Sequence, residues 1–414
     1  MSDSATARLD DAAALLVLSS HLSGRAVVGD LGEESGTFAD LLEHLKRIPD
    51  RRAERWVDHP LAAVLALCAG AVVAGTRGFT AIAGWVRDVP PRILRFIYSR
   101  CGRTGVTCPP SKATLWRVVT GVSCDLLDAV VGSWLLTRAA TVSPTASTAP
   151  GPGELVAIAA DGKTVRGAVG TDGAQVHLLA AMTHGTGLVV GQIEVNAKTN
   201  EIPMLTELLD GLDLADTVLT VDALHTQRAT ADYVQRRGGD FVFTVKENQP
   251  RLFDALNALP WTDTPIQHTT TDKAHGRIAT RTIQVMPAPA NLPFPHVNQV
   301  WLVEHGVTDL RGKSLSNVAV LGVTSLTPTQ AQPARIAELV RTHWGIESLH
   351  WIRDTLYRED NSTTRTRSGP RAMATLRNLA IGAIRLFGRN DITETTRWAH
   401  RDMQRPFQIL NLAT

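Results

Sequence analysis

The sequence predicts an α/β protein in which a small all-helical N-terminal domain precedes a larger domain of strands and helices. Apolar residues recur at spacings of three and four through the first 140 residues, which is typical of helices. A segment rich in Ala, Thr, Ser, Pro and Gly follows and predicts a linker at 141–153. Beyond it, short apolar runs of strand length alternate with helical patterns. The predicted domains are therefore 1–140 and 154–390, with 391–414 as a C-terminal tail.

The composition is that of a globular protein without a membrane segment. The chain has 414 residues, 44% of them apolar and 20% charged, with a formal net charge of +2, which excludes collagen-like, disordered and disulfide-scaffold chains. The four cysteines lack zinc-ligand spacing and indicate reduced thiols, so a cytoplasmic protein is expected. The apolar run Leu61–Gly75 is shorter than the roughly 20 residues of a membrane span and predicts a buried helix. Asp10 and Asp11 stand where an export signal needs positive charge.

The N-terminal helices are predicted at runs of apolar periodicity that prolines separate. They cover residues 41–50, 61–75, 79–89 and 114–139.

After the linker, strands and helices are predicted in the order β-β-β-α-β-α-β. They cover residues 155–162, 177–184, 187–195, 201–212, 217–223, 226–238 and 240–246. This order is that of the ribonuclease-H-like fold, with the first three strands antiparallel. Further strand candidates at 279–286, 300–305 and 318–326 form a β-rich insertion at about 262–325, and long helices follow at 334–357 and 371–388.

Two aspartates stand where predicted strands end. Asp161 follows the run LVAIAA and Asp222 follows TVLTV. If these strands are parallel neighbours at the sheet centre, the two carboxylates lie side by side and repel each other, and a divalent cation removes that conflict. Oxygen ligands with few His or Cys nearby favour Mg²⁺ or Mn²⁺ over zinc. The alternative is that each aspartate only caps a turn.

Glu347 is the predicted third carboxylate. It lies in the first long helix after the insertion, and His343, His350, Trp351 and Asp354 are predicted to share its helical face. The alternative is ordinary amphipathic packing, with both histidines hydrogen-bonded rather than catalytic.

Several short motifs occur in a fixed order along the chain. They are Asp161-Gly-Lys, Asp222-Ala-Leu-His-Thr-Gln, Lys-Glu-Asn-Gln at 246–249, His-Gly-Arg-Ile at 275–278, His-Trp-x-Ile-Glu at 343–347, Leu-His-Trp at 349–351 and Glu-Asp at 359–360. Together they resemble the bacterial insertion-sequence transposases of the DDE class, specifically the H-repeat-associated group. The stretches IPDRR at 48–52, HPLA at 59–62 and PSKATL at 110–115 resemble the helical domain associated with that group.

The resemblance implies that Asp161, Asp222 and Glu347 bind two Mg²⁺ (or Mn²⁺) ions. Water would attack a phosphodiester at the end of the element, and the freed 3′-OH would attack target DNA. The implied partners are terminal inverted repeats and target DNA, with the protein acting as a homodimer in the cytoplasm, at the nucleoid. A nuclease without strand transfer and a domesticated DNA-binding protein are the alternatives.

The residues around Glu347 depart from the wider superfamily. The superfamily pattern is Tyr-x₂-Arg-x₃-Glu-x₆-Lys. This chain has Val340 in place of the Tyr, His343 in place of the Arg and Asp354 in place of the Lys, so only the glutamate matches. His343 or Arg341 is the candidate to replace the missing arginine in contacting DNA.

Further DNA contacts are predicted, each with a structural alternative. The candidates are Lys163, Lys246, His275, Arg277, Trp301, Lys112 and Arg117. The alternatives are a solvated strand end for Lys246, a hairpin turn for His275 and Arg277, a core position for Trp301, and ordinary helix capping for 111–117. Between Arg335 and Arg405, 13 arginines face 8 acidic residues, so the near-neutral total can hide a basic DNA-facing surface.

Overall fold

The computed structural model describes residues 40–52, 57–142, 155–170, 173–195, 201–274, 276–389 and 391–412. These residues form a mixed α/β structure with two compact units. The first unit comprises the described residues within Met1–Gly151, Gly162–Asp213 and Glu347–Thr414. The second comprises those within Pro152–Asp161 and Leu214–Ile346.

The helices and strands are numbered along the chain. The helices are α1 (Leu41–Leu45), α2 (Leu61–Val73), α3 (Phe79–Arg87), α4 (Pro91–Arg100), α5 (Lys112–Gly121), α6 (Cys124–Val142), α7 (Glu201–Asp210), α8 (Arg228–Arg236), α9 (Pro250–Asn257), α10 (Pro333–His343), α11 (Gly345–Thr355), α12 (Gly369–Leu386), α13 (Ile392–His400) and α14 (Arg405–Ile409). The strands are β1 (Val156–Val169), β2 (Gln175–Thr183), β3 (Val189–Val195), β4 (Thr217–Val221), β5 (Asp240–Val245), β6 (His268–Ala274), β7 (Arg277–Pro287), β8 (Gln299–Asp309) and β9 (Ser314–Thr324). The predicted linker, apart from its first two residues at the end of α6, lies outside the described residues.

The first unit is built around α2. Every residue of α2 is buried, as expected of a helix that is apolar on all sides. It packs against α1, α3, α5 and α12, and α12 in turn packs on α6 and β3. In the part of the chain that the structure describes, no single helix is long and apolar enough to cross a membrane, although α5 and α6, bent by 91°, pass that test as a pair.

The strands are hydrogen-bonded in the order β3-β2-β1-β4-β5-β9-β8-β7-β6. β1 runs parallel to β4 and β4 parallel to β5, whereas β9, β8, β7 and β6 are antiparallel to their neighbours. β2 and β3 are also antiparallel, as predicted. β1 is shared by the two units: its residues up to Asp161 belong to the second and those from Gly162 to the first.

The core of the second unit lies between the sheet and α10. Ile336 and Leu339 of α10 pack with Val218, Val242 and Trp301 of the sheet. Trp301 is fully buried opposite Gly322 on β9, where an added Cβ would lie 2.0 Å from the indole ring. Gly322 therefore makes the space that the indole fills.

Three helical segments differ from the prediction. The helix predicted at 114–139 is two helices, and so is the helix predicted at 334–357, where Trp344 separates α10 from α11. The helix α4 was not predicted at all. It begins with Pro91, which breaks a helix interior but fits the first turn, where no backbone N–H is needed.

Candidate active site

Asp161 and Asp222 follow equivalent positions of two neighbouring parallel strands. The last paired residues of β1 and β4 are Ala160 and Val221, and each aspartate is the next residue along the chain. The prediction that these strands are parallel neighbours is confirmed, but β1 does not end near Asp161 as predicted and continues to Val169. Both side chains are half-buried. Adjacent strands lie about 4.8 Å apart, so two carboxylates at this level repel each other unless a cation intervenes.

The Asp222 carboxylate caps the turn that follows it. Oδ1 accepts hydrogen bonds from the backbone N–H of Leu224 at 3.0 Å and of His225 at 3.4 Å. The alternative that Asp222 only caps a turn therefore accounts for Oδ1 alone. Oδ2 takes no part in the cap. Asp222 has no Lys or Arg partner among the described residues, so the protein itself does not neutralise this charge.

The Lys-Glu-Asn-Gln motif holds the turn after Asp222 in place. Asn248 Nδ2 donates to Ala223 O at 2.7 Å, and Gln249 Nε2 donates to Gln227 Oε1 at 3.1 Å. Lys246 itself follows the last residue of β5 and is exposed. Because β5 runs parallel to β4, Lys246 lies at the same edge of the sheet as Asp222.

His343 is half-buried beside β4. Its Nδ1 lies 2.9 Å from Thr220 Oγ1, and burial lowers its pKa to about 4 despite the nearby charge of Asp222. The imidazole is therefore neutral near pH 7, and it is not a cation that could replace the missing arginine.

Other predicted DNA contacts of the second unit lie in different surroundings. Arg341 is half-exposed, and its Nη2 lies 2.9 Å from Asp272 Oδ2. Arg277 is exposed at the start of β7, while His275 lies outside the described residues. Trp301 has no exposed surface for stacking on a base, so the core interpretation describes it.

Glu347 is exposed in the first turn of α11 and belongs to the first unit. Because α10 ends at His343 and α11 begins at Gly345, the predicted helical face shared by His343 and Glu347 does not exist. Sequence periodicity missed this break because Trp344 and Gly345 are both compatible with a continuous helix. Within the described ranges, no group of three or more His, Cys, Asp or Glu is gathered closely enough to hold a metal ion.

Lys163 points into the first unit. Its Nζ lies 2.6 Å from Asp354 Oδ2 and 3.4 Å from Asp360 Oδ1, and the residue is only 8% exposed. On α5, by contrast, Lys112 and Arg117 are exposed, and Ser111 caps the helix by accepting a hydrogen bond from Thr114 N.

The arginine excess over 335–405 does not all face solvent. Arg353 and Arg377 are buried on either side of Glu359, at 2.8 Å and 2.7 Å from its carboxylate oxygens. Arg371 is buried as well, with Nε 2.8 Å from Asp128 Oδ2. These arginines were counted from the sequence toward a DNA-facing surface, but they stabilise the first unit instead. Sequence reasoning missed the partner of Arg371 because Asp128 is 243 residues away along the chain.

Two family models match the chain. The transposase DDE domain matches residues 148–382, and the model described as DDE_Tnp_1-associated matches residues 42–135.

Curated relatives match over most of their own lengths. "H repeat-associated putative transposase YhhI" of Escherichia coli K12 is 28% identical and covers 83% of this chain and 90% of its own. "Putative transposase YncI" of E. coli O157:H7 is 27% identical and covers 84% and 88%. An uncharacterized protein in the dhlA 3′ region of Xanthobacter autotrophicus is 32% identical over 58% of this chain and 77% of its own. The solved piggyBac transposase synaptic complex with hairpin DNA aligns at 11% identity and a TM-score of 0.38 over 96% of this chain and 81% of that one, too low for a comparison of folds.

Proposed function

Because this chain belongs to the transposase DDE domain family, we propose that it is a DNA transposase. It cuts DNA at the ends of its own insertion element and joins the freed 3′-OH to target DNA. The observation that carries the proposal is the pair of half-buried aspartates that directly follow Ala160 and Val221, the last paired residues of the parallel strands β1 and β4. The proposed fold of the catalytic domain is ribonuclease-H-like, which the order β3-β2-β1-β4-β5 supports.

The donor set suits a hard divalent cation. Asp161, Asp222 and Glu347 supply only carboxylate oxygens, which Mg²⁺ and Mn²⁺ prefer. Such ions, when bound, activate the attacking oxygen and stabilise the leaving oxygen at phosphorus. The chain's own contribution is to fix Asp222 through its cap and through Asn248, and to leave Oδ2 outside that cap. Lys246, exposed at the same sheet edge, is proposed to contact a DNA phosphate.

A strongly basic segment supports a DNA partner. Residues Arg77–Arg117 contain 8 basic residues and 1 acidic residue, a net charge of 8 − 1 = +7, so the rest of the chain sums to 2 − 7 = −5. On α4, Arg92 and Arg95 are exposed on one side while Leu94, Ile97 and Tyr98 are buried on the other. Neither arginine has a carboxylate partner among the described residues. We propose that this surface and the exposed Lys112 and Arg117 of α5 bind DNA phosphates.

The test uses purified protein, Mg²⁺ and oligonucleotides that carry the ends of the element. Asp161→Asn is expected to abolish both nicking and joining while DNA binding persists. The matched control is Asp391→Asn, because Asp391 caps α13 through the N–H of Glu394 and has no proposed role in chemistry. Strand transfer retained by the Asp161→Asn protein would contradict the assignment of Asp161 to the metal site. Nicking without joining by the wild type would favour a nuclease.

We also propose that the protein acts as a homodimer that pairs two DNA ends. Light scattering on the protein–DNA complex tests this: a mass of two chains with two ends supports it, and one chain per end contradicts it.

A further inference from the structure

Lys163 is a buried lysine whose side chain ends between two carboxylates. It follows Asp161 by two residues on β1, and its Nζ lies 2.6 Å from Asp354 Oδ2 and 3.4 Å from Asp360 Oδ1. A side chain that contacts DNA phosphate must be exposed, whereas only 8% of Lys163 is exposed. A buried ammonium is strongly destabilising unless it is paired, and here both carboxylates supply the pairing. Lys163 therefore forms an internal ion pair with these carboxylates.

This ion pair joins β1 to the side of α11 that carries Glu347. Residues two apart on a strand point to the same side, so Lys163 shares its side of β1 with Asp161. Asp354 follows Glu347 by seven residues on α11. Seven residues are two helical turns, about 10.5 Å along the axis, and return to nearly the same face. The salt bridge thus lies within the first unit and connects β1 to the face of α11 that carries Glu347.

The surroundings of the salt bridge are closely packed. An added Cβ at Gly167 on β1 would lie 2.5 Å from Ser362 O and 2.7 Å from Asp360 O. Arg365 Nε donates to Gly167 O at 3.1 Å. The segment after α11 therefore lies directly along the second half of β1, with little room to shift.

The end of α11 is also fixed from within the first unit. Arg353, adjacent to Asp354, donates through Nε to Glu359 Oε2 at 2.8 Å, and Arg377 Nη1 donates to Glu359 Oε1 at 2.7 Å. All three residues are at most 1% exposed. With the helix end fixed in this way, the salt bridge of Lys163 to Asp354 connects α11 itself to β1.

We propose that Lys163 is a positioning residue, which sets the place of Glu347 for metal binding through its salt bridge to Asp354. This inference rests on the proposed function, in which Glu347 is a metal ligand. It assigns Lys163 no contact with DNA and no part in the chemistry.

The experiment compares Lys163→Met and Asp354→Asn with the wild-type protein in Mg²⁺-dependent nicking of end oligonucleotides. We expect both variants to bind DNA within about twofold of wild type and to nick about 100-fold more slowly, the effect of a displacement of about 1 Å in a catalytic group. The Mg²⁺ concentration for half-maximal nicking should rise in both, which a purely structural role would not produce. Lys163→Arg, which keeps the charge, should restore most of the rate.

The surface lysine Lys46 provides the matched control, since it pairs with Glu43 at 2.8 Å in the same unit. Lys46→Met should nick like the wild type. If Lys163→Met fails to fold, Asp354→Asn decides alone, because that side chain is one-third exposed and keeps its size.

Two results would overturn the proposal. One is wild-type nicking and Mg²⁺ dependence in Asp354→Asn. The other is weaker DNA binding by Lys163→Met with a salt dependence shallower by about one, which marks a lost phosphate contact. If Asp161→Asn also nicks normally, the proposed function itself fails. If Asp161→Asn is inactive, only the role of Lys163 is rejected.

Discussion

Glu359 lies in the first unit and Asp222 in the second, and the protein treats their negative charges differently. Glu359 is fully buried between Arg353 and Arg377. Burial raises the pKa of Glu359, but the two guanidiniums outweigh that effect and hold it below its ordinary value. Asp222 is half-buried, and its carboxylate accepts hydrogen bonds from the N–H groups of Leu224 and His225 and from no other group in the described part of the chain. The first unit thus neutralises Glu359 with its own arginines, whereas the second unit leaves Asp222 without a Lys or Arg partner among the described residues.

The largest expected effect is on activity, at Asp222. Asp222→Asn keeps the shape and the cap acceptor but removes the charge, so nicking should fall by at least about 10²–10³-fold, the loss found when one electrostatic stabiliser is removed. Its free energy of unfolding should stay the same or rise, because a repulsive charge has been removed. A urea unfolding curve and a nicking assay on the same sample check this. A large loss of stability would show that Asp222 is a structural carboxylate like Glu359.

The next effect is on stability, at Glu359. Glu359→Gln leaves two buried arginines without a counter-charge, which should lower the free energy of unfolding by about 3–5 kcal/mol. Urea unfolding measures it. The control is Glu338→Gln, whose ion pair with Arg335 is exposed and should be worth less than about 1 kcal/mol. Equal effects of the two substitutions would contradict the comparison.

Sequence reasoning found the two aspartates of the second unit but not the internal ion pairs of the first unit. Asp161 and Asp222 could be found because each directly follows an apolar run of strand length, and strand order then placed them together. The partners of Lys163 could not be found, because Asp354 lies 191 residues away and no local pattern marks the contact. Trp301 was predicted as a base contact with a core position as the alternative; it is fully buried, and Gly322 on β9 makes the space for its indole.

Local sequence rules also failed in identifiable ways. Pro91 was interpreted as a break although it begins α4, because a proline at the first helical position and one in the interior look alike in a periodicity count. β6 was not predicted because its residues, HTTTDKA, have no apolar alternation; it lies at the sheet edge and is mostly exposed. A polar edge strand is recognisable only from the strand beside it.

A smaller effect concerns the pH dependence of the free energy of unfolding. It tests whether His343, the neighbour of Asp222, is protonated in the folded protein. Burial lowers the pKa of His343 to about 4, so the folded protein resists a protonation that the unfolded chain accepts near pH 6.5. Its contribution to stability is therefore full above pH 6.5 and is lost as the pH falls toward 4, by up to about 3 kcal/mol. His343→Gln should show a shallower loss of stability between pH 6.5 and 4 than the wild type. Identical slopes would mean that His343 is charged near Asp222 in the folded protein.

The smallest effect extends the comparison from carboxylates to arginines. Arg353 and Arg377 are used inside the first unit, whereas Arg92 and Arg95 of α4 are exposed and have no carboxylate partner among the described residues. Such cations remain available to DNA phosphates. Replacing Arg92 and Arg95 together by Gln should weaken DNA binding by about tenfold and make its salt dependence shallower by about two, since each phosphate contact contributes about 0.9 to the slope. Stability should not change, because no internal ion pair is lost.

The control for α4 is the double substitution of Arg236 and Arg251, which are exposed outside the basic segment. Titrations of a labelled end duplex at several salt concentrations measure both variants. If both doubles weaken binding equally, the contribution of α4 is only that of total charge, and the basic segment has no special place in binding DNA. If only the α4 variant changes the slope, the unpaired arginines of this helix are the cations that complement the DNA backbone. The arginines of the chain then divide as its carboxylates do, into those compensated within the fold and those left for a ligand.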